Sequence, residues 1–148
     1  MPSPIRNNLI IELHIPDFDV AKKFYAILGF SPIMEHHITA TEPGYLVLKH
    51  HDDEGDTILN FYGGNEKVYQ QSYFKNFSKD MKRGYATEVT IPIAHVDEFY
   101  NEVVSKLQGH IKQSVMDKQD GEVRWRDFRM EDPFGFYLRF TELIDWGQ

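Results

Sequence analysis

The sequence has 148 residues, with 16 Lys and Arg against 23 Asp and Glu, so its formal net charge is −7. It contains no Cys, which excludes disulfides, thiolate catalysis and cysteine-ligated metal centres. The negative charge opposes a nucleic-acid groove, whose phosphates need a basic surface. No apolar run approaches the ~20 residues of a membrane span, and the opening residues lack the apolar stretch of a secretory signal. We therefore expect a cytoplasmic protein with neither nucleic acid nor a membrane as partner.

The hydrophobic pattern divides the chain into two similar halves. Residues 9–15 alternate as a half-buried strand, and a helix follows, with Asp17 placed to cap its start and Gly29 to close its end. Residues 89–93 repeat the strand, and residues 96–107 form a second amphipathic helix with the same Phe-Tyr pair. Three further strand signals follow each helix, so the plan is strand, helix and three strands, twice.

This duplicated plan predicts one α+β domain over residues 1–148. Its two βαβββ modules would form a curved, cup-shaped, eight-stranded mixed sheet with the helices on the convex side. Module one covers about 7–63, a connector about 64–83, and module two about 84–143. Alternation along the strands predicts which side chains line the cup: Ile10, Glu12, His14, Ile58, Asn60, Tyr62, Glu88, Thr90, Tyr137 and Arg139. A concave wall of rings with a few polar groups is typical of a small-molecule site.

Four segments carry a family resemblance. The opening IPDFDVAKKFYAILGF, the strand DTILNFYG, the helix HVDEFYNEV and the closing VRWRDFRMEDPFGFYLRF resemble the glyoxalase/bleomycin-resistance/extradiol-dioxygenase superfamily, which has the vicinal oxygen chelate fold. The resemblance implies a site at the cup floor where the enzymes of this superfamily hold a divalent metal. Its ligands are His or Glu on the first and fourth strands of each module. In this sequence those positions hold Ile10, Asn60, Glu88 and Arg139.

That set does not suit a metal. Only Glu88 is an acceptable ligand, and the Arg139 guanidinium donates hydrogen bonds and repels a cation. We expect no metal, no other cofactor and no catalytic residue, with an Arg139–Glu88 ion pair in place of the metal.

Metal-free bleomycin-resistance proteins also lack the ligand set, and TILNFYGG, IAHVDEFY and FYLRF look closest to that branch. The resemblance implies a homodimer that sequesters an aromatic or cationic compound in a groove between its subunits, as in antibiotic resistance. The expected ligand-binding residues are Glu12, His14, Asn60, Tyr62, Glu88, Tyr137 and Arg139, with Phe74 and Phe128 as stacking rings. The sequence leaves open which side of the strand that carries Phe128 faces the ligand.

Two other functions fit the pattern less well. One is a metal-dependent lyase, isomerase or dioxygenase with a displaced site formed by Glu12, His14 and Glu88. The other is a scaffold that binds a protein partner and no small molecule. Glu12 and His14 share a strand face, so they also fit a hydrogen-bonded polar pair at the edge of the cup.

Overall fold

The computed structural model describes residues 9–37 and 39–146, with residues 145 and 146 described by their backbone alone. The first module consists of β1 (Glu12–Ile15), α1 (Phe18–Ile27), β2 (Ser31–His36), β3 (Gly44–Asp52) and β4 (Gly55–Gly63). The second consists of β5 (Glu88–Pro92), α2 (Val96–Leu107), β6 (Ile111–Asp120), β7 (Val123–Glu131) and β8 (Tyr137–Trp146). Short 3₁₀ turns at Glu66–Gln70 and Phe74–Asn76 lie in the connector.

Each module forms its own mixed sheet of four strands. The strand orders are β1-β4-β3-β2 and β5-β8-β7-β6, and the first strand of each module runs parallel to the fourth. The other neighbours are antiparallel hairpin partners. The predicted α+β class and the repeated βαβββ plan are therefore confirmed, and neither sheet closes into a barrel.

The ends of α1 follow from local chemistry. The Asp17 carboxylate accepts the Val20 amide at 3.0 Å and so satisfies one of the free amides in the first turn. Gly29 adopts φ 84°, a left-handed conformation that costs glycine little, and the Phe30 amide then reaches the Tyr25 carbonyl at 2.9 Å. Both caps were predicted, and both are confirmed. Within the described residues, neither long helix has the length and apolarity needed to cross a membrane.

The first strand is shorter than predicted. The alternating pattern covers residues 9–15, but the pairing of β1 with β4 begins at Glu12, opposite Asn60. Ile10 and Ile11 are 71% and 60% exposed. Alternation indicates which side of a strand is apolar, but a neighbouring strand decides where the strand begins.

A single apolar core joins the two modules. It includes residues from both helices and both sheets, such as Phe24 of α1 and Phe140 of β8. Two polar contacts also cross between the modules: the Ala94 amide donates to the Asp52 carboxylate at 2.9 Å, and a buried bond joins α1 to the β7–β8 turn.

That buried bond runs from the Tyr25 hydroxyl to Asp132 Oδ2 at 2.7 Å. The other oxygen, Oδ1, accepts the amides of Phe134 and Phe136 at 2.9 and 2.8 Å and so shapes the turn. Burial raises the pKa of Asp132, against the opposing effect of these hydrogen bonds. Because water is excluded, the Asp132 carboxyl group depends on these three protein donors for its hydrogen bonds.

Replacing Tyr25 with Phe is expected to lower the free energy of unfolding by about 1–3 kcal/mol, because Asp132 would lose a donor in a buried place. Urea denaturation measures this change. Tyr100→Phe is the matched control, since Tyr100 occupies the corresponding place in α2, is half-buried and makes no hydrogen bond through its hydroxyl to any described residue. Equal losses in the two variants would contradict the role assigned to the Tyr25–Asp132 bond.

Candidate functional site

The predicted polar residues of the first module lie together on one sheet face. The parallel register sets Glu12 beside Asn60 and His14 beside Tyr62. His14 Nε2 lies 2.9 Å from Glu12 Oε1, and its ring centroid is 4.6 Å from that of Tyr62. The strands therefore bring all four residues together, as alternation predicts.

In the second module, the predicted Arg139–Glu88 ion pair is wrong. Arg129 Nε donates to Glu88 Oε1 at 2.7 Å, and Arg139 Nε donates to Asp127 Oδ2 at 2.9 Å. The register explains the exchange, because Glu88 lies opposite Tyr137 in β8, while Arg139 lies opposite Arg129 in β7. Tyr137 keeps its predicted place on the same sheet face as Arg139, two residues away.

Asp127 is the main residue that the sequence reasoning missed. It is fully buried, and its Oδ1 is contacted by Gln113 Nε2 at 2.8 Å and Lys118 Nζ at 3.0 Å. Its Oδ2 accepts from Trp125 Nε1 at 3.1 Å and from Arg139. Burial alone would raise the pKa of Asp127, but the hydrogen bonds from Lys118 and Gln113 outweigh it and lower that pKa. The alternation of Trp125, Asp127 and Arg129 was the available sequence signal.

Phe128 does not lie at a ligand surface. It is fully buried on the helix side of the second sheet, with its ring centroid 5.0 Å from that of Tyr100 and 5.2 Å from that of Phe140. Because successive strand residues point to opposite faces, Asp127 and Arg129 face the other way. The sequence did not show which side of β7 could face a ligand, and the structure places the Phe128 side in the core. Phe128 therefore packs in the core instead of stacking on a ligand as expected.

Phe74 does line a cavity. The connector folds back over β1 and encloses a volume of about 380 Å³ between them. Six of the lining residues show its mixed apolar, aromatic and cationic character: His14, Tyr69, Phe74, Phe77, Met81 and Arg83. The Phe74 ring packs edge-on against His14, with 4.9 Å between the ring centroids. Glu12 also lines the cavity, whereas Asn60, Tyr62, Glu88, Tyr137 and Arg139 do not.

Burial controls the charges at this cavity. Arg83 Nε donates to the backbone carbonyl of His14, and its guanidinium lies 5.0 Å from the centre of the Tyr69 ring. Burial lowers the pKa of Arg83 and also that of His14, although the bond to Glu12 opposes the shift of His14. His14 Nδ1 is buried and has no hydrogen-bond partner among the described residues. Burial therefore favours the neutral form of the imidazole.

The residues at the four positions where the resemblance implies metal ligands cannot form a metal site in this chain. Ile10 offers no donor atom and precedes β1, while Glu88 and Arg139 are held by Arg129 and Asp127. Across residues 9–37 and 39–146, no three His, Asp or Glu side chains come together as a set that could hold an ion. The displaced set of Glu12, His14 and Glu88 does not converge either.

Comparison with known proteins supports the fold. No protein-family model matches the sequence, and no curated protein matches it either. Among solved structures, TioX from Micromonospora sp. ML1 is similar, with a TM-score of 0.59 and 20% identity over 92% of this chain and 95% of that one. A glyoxalase/bleomycin resistance protein/dioxygenase from Alicyclobacillus acidocaldarius is also similar, with a TM-score of 0.57 and 21% identity over 95% of this chain and 96% of that one.

The trypanothione-dependent glyoxalase I of Leishmania major gives a TM-score of 0.55 and 16% identity over 93% of this chain and 86% of that one. At these identities the likeness establishes the fold alone. The chain therefore has the vicinal oxygen chelate fold of glyoxalase, bleomycin-resistance and dioxygenase proteins, in agreement with the fold implied by its sequence motifs. Its function has to be argued from its own residues.

His14 is expected to titrate below its ordinary pKa of 6.5, because burial disfavours the imidazolium. Glu12→Gln should lower the His14 pKa further, since the carboxylate stabilises the proton. A base with a lowered folded pKa contributes stability above its unfolded pKa, and that stability is lost as the pH falls below about 6.5. NMR titration of the His14 ring measures both shifts, and a midpoint above 6.5 in the wild-type protein would contradict the assignment.

Proposed function

We propose that this protein is a metal-independent small-molecule binding protein of the bleomycin-resistance type, which captures an aromatic compound stoichiometrically as a homodimer. The observation that carries the proposal is the state of the cup floor. There Glu88, the one acceptable metal ligand, is bound to Arg129, and the Arg139 guanidinium, which repels a cation, is bound to Asp127. A Lewis acid is the usual catalyst in this fold, and without a donor set for it binding is the simplest remaining activity.

The cavity between the connector and β1 is the proposed capture site. Its volume of about 380 Å³ falls within the range of small-molecule pockets. The rings of Phe74 and Phe77 are 43% and 45% exposed, so both are available to a planar ligand. Among the charged lining residues, Lys82 and Arg83 outnumber Glu12. Of the two expected ligand types, aromatic and cationic, this balance favours an aromatic compound without a positive charge.

A second copy of the chain is the proposed cover for the apolar segment before β1. Ile10 and Ile11 are largely exposed, and Ile11 also lines the capture cavity. In the described part of the chain β1 pairs with β4 alone, so its other edge can accept a strand. Association of two copies through this edge would bury the segment and place the cavity beside the interface.

Capture is tested with two bicyclic probes of similar shape, neutral 2-naphthol and cationic N-methylquinolinium, by calorimetry on chelator-treated protein. We expect one 2-naphthol per chain, weaker binding of the cation, and affinities that added divalent metal leaves unchanged. Phe74→Ala should weaken 2-naphthol binding by about tenfold, because the ligand loses a stacked ring. Tyr73→Ala is the control, since Tyr73 is the adjacent aromatic residue and does not line the cavity. Binding only after metal addition, or equal losses in the two variants, would contradict the proposal.

Dimer formation is tested by analytical ultracentrifugation at micromolar concentration. Ile10→Asp is expected to shift the protein from dimer to monomer, because a charge would have to be buried at the interface. Ile33→Asp is a matched control on β2, where Ile33 is 58% exposed, and it should remain dimeric. A monomeric wild-type protein would refute this part of the proposal.

A further inference from the structure

A network of ionic groups lies on the face of the second sheet that points away from α2. Its linked ionic groups are Lys118, Arg129 and Arg139 against Glu88 and Asp127. Three cations and two carboxylates leave this network one positive charge, on a chain whose net charge is −7. Glu131 lies on the same face but is paired with Lys82 of the connector. The local charge is thus opposite in sign to that of the whole protein, which favours an anion at this place.

Arg139 is the cation with unused donors. Its Nε is bound to Asp127, while Nη1 and Nη2 donate to no residue in the described part of the chain. The side chain is 22% exposed, so these two nitrogens can be reached from solvent. Two parallel N–H groups at the end of a guanidinium match the two oxygens of a carboxylate or similar oxyanion.

The Arg139 guanidinium is also held in a fixed orientation. Its central carbon lies 5.6 Å from the centre of the Trp125 ring, and Trp125 Nε1 donates to the same Asp127 oxygen that binds Arg139. One fully buried carboxylate therefore positions both the cation and the aromatic ring. A donor that is already positioned loses less side-chain entropy when it binds a ligand.

Space for a ligand lies beside this pair. A cavity of about 410 Å³ is lined by Trp125, by two cations, Lys118 and Arg124, and by one carboxylate, Asp117. Arg139 does not line this cavity itself but lies against the Trp125 ring that does. None of these residues, nor Arg139, lines the cavity under the connector. The two cavities therefore share no lining residue.

We propose that Arg139, positioned by Asp127 beside Trp125, anchors the oxyanion group of a planar organic compound on the second module. The guanidinium binds the oxyanion through Nη1 and Nη2, and the flat part of the compound stacks beside the indole. This site is independent of capture in the cavity lined by Phe74.

The test uses Trp125 as its reporter. The chain has two Trp residues, so Trp146→Phe leaves Trp125 as the sole tryptophan fluorophore. The probes are benzoate, benzamidine, which has the same shape and the opposite charge, and inorganic phosphate. Benzoate is expected to quench Trp125 saturably, and the two other probes should bind at least about tenfold more weakly.

Arg139→Lys keeps the charge beside Asp127 but loses the forked donor, so the benzoate dissociation constant should rise by roughly tenfold. Arg126→Lys is the matched control. Arg126 is on β7, the strand that pairs with the strand of Arg139, and it binds Asp97 of α2 at 2.8 Å and Asp117 of β6 at 3.1 Å. The variant should bind benzoate as the parent does. Phe74→Ala should also leave the quenching unchanged, which separates this site from the proposed capture site. If Arg139→Lys does not fold, calorimetry on Trp125→Leu, which should also bind benzoate more weakly, replaces it.

Three results would overturn the inference. One is the absence of saturable quenching by benzoate, and a second is equal binding of benzamidine, which would show that charge does not select the ligand. The third is benzoate binding that survives Arg139→Lys undiminished. Phosphate binding as tight as that of benzoate would overturn the role given to the indole.

Discussion

A buried carboxylate fixes the concave face of the second module. Asp127 has no solvent exposure, and its two oxygens are contacted by four donors, from Gln113, Lys118, Trp125 and Arg139. An ionised carboxylate is costly to bury unless such donors surround it, so removing any one of them leaves part of that cost uncompensated. The side chains around Asp127 are therefore constrained together, and Arg139 cannot turn toward Glu88 without giving up this carboxylate.

The constraint extends to Glu88, one of the positions at which the sequence resemblance implies a metal ligand. The side-chain amide oxygen of Gln113, Oε1, accepts from Arg129 Nη1 at 2.7 Å, and the same guanidinium binds Glu88. Glu88 is the one acceptable metal ligand among the corresponding positions, and it is already neutralised by a cation. A surface that opposes a metal ion in this way also favours an anion, and this connects the proposed loss of metal chemistry with the proposed oxyanion site.

The sequence predicted the fold because its signals are local and occur twice. Period-2 strands, the Asp17 cap and the Gly29 terminus depend on neighbouring residues alone, and the structure confirms them. The partner of Arg139 was mispredicted because it depends on the register between β7 and β8, which are joined by a turn but aligned by long-range packing. Phe128 was assigned to a ligand surface because alternation shows that two faces exist but does not show which face α2 covers.

The repeat also conceals a difference between the modules. Tyr25 and Tyr100 occupy corresponding places, yet of their two hydroxyls only that of Tyr25 has a hydrogen-bond partner among the described residues, the buried Asp132. Likewise, the connector covers β1 of the first module, where it brings Phe74 against His14. No periodicity in residues 64–83 predicts that cover. The short 3₁₀ turns are capped locally, by Asn65 and by Gln71, but these local caps do not show where the connector will pack.

The central claim is that Glu88 and Arg139 are held in ion pairs at the positions where the sequence resemblance implies metal ligands, and metal analysis tests it most directly. The protein would be purified without chelator or added metal and its content of divalent ions measured per chain by mass spectrometry, before and after incubation with Zn²⁺ and Mn²⁺ and removal of the unbound ions. The account predicts far less than one ion per chain in every sample. Near-equimolar metal that is lost on substitution of Glu88 would contradict it.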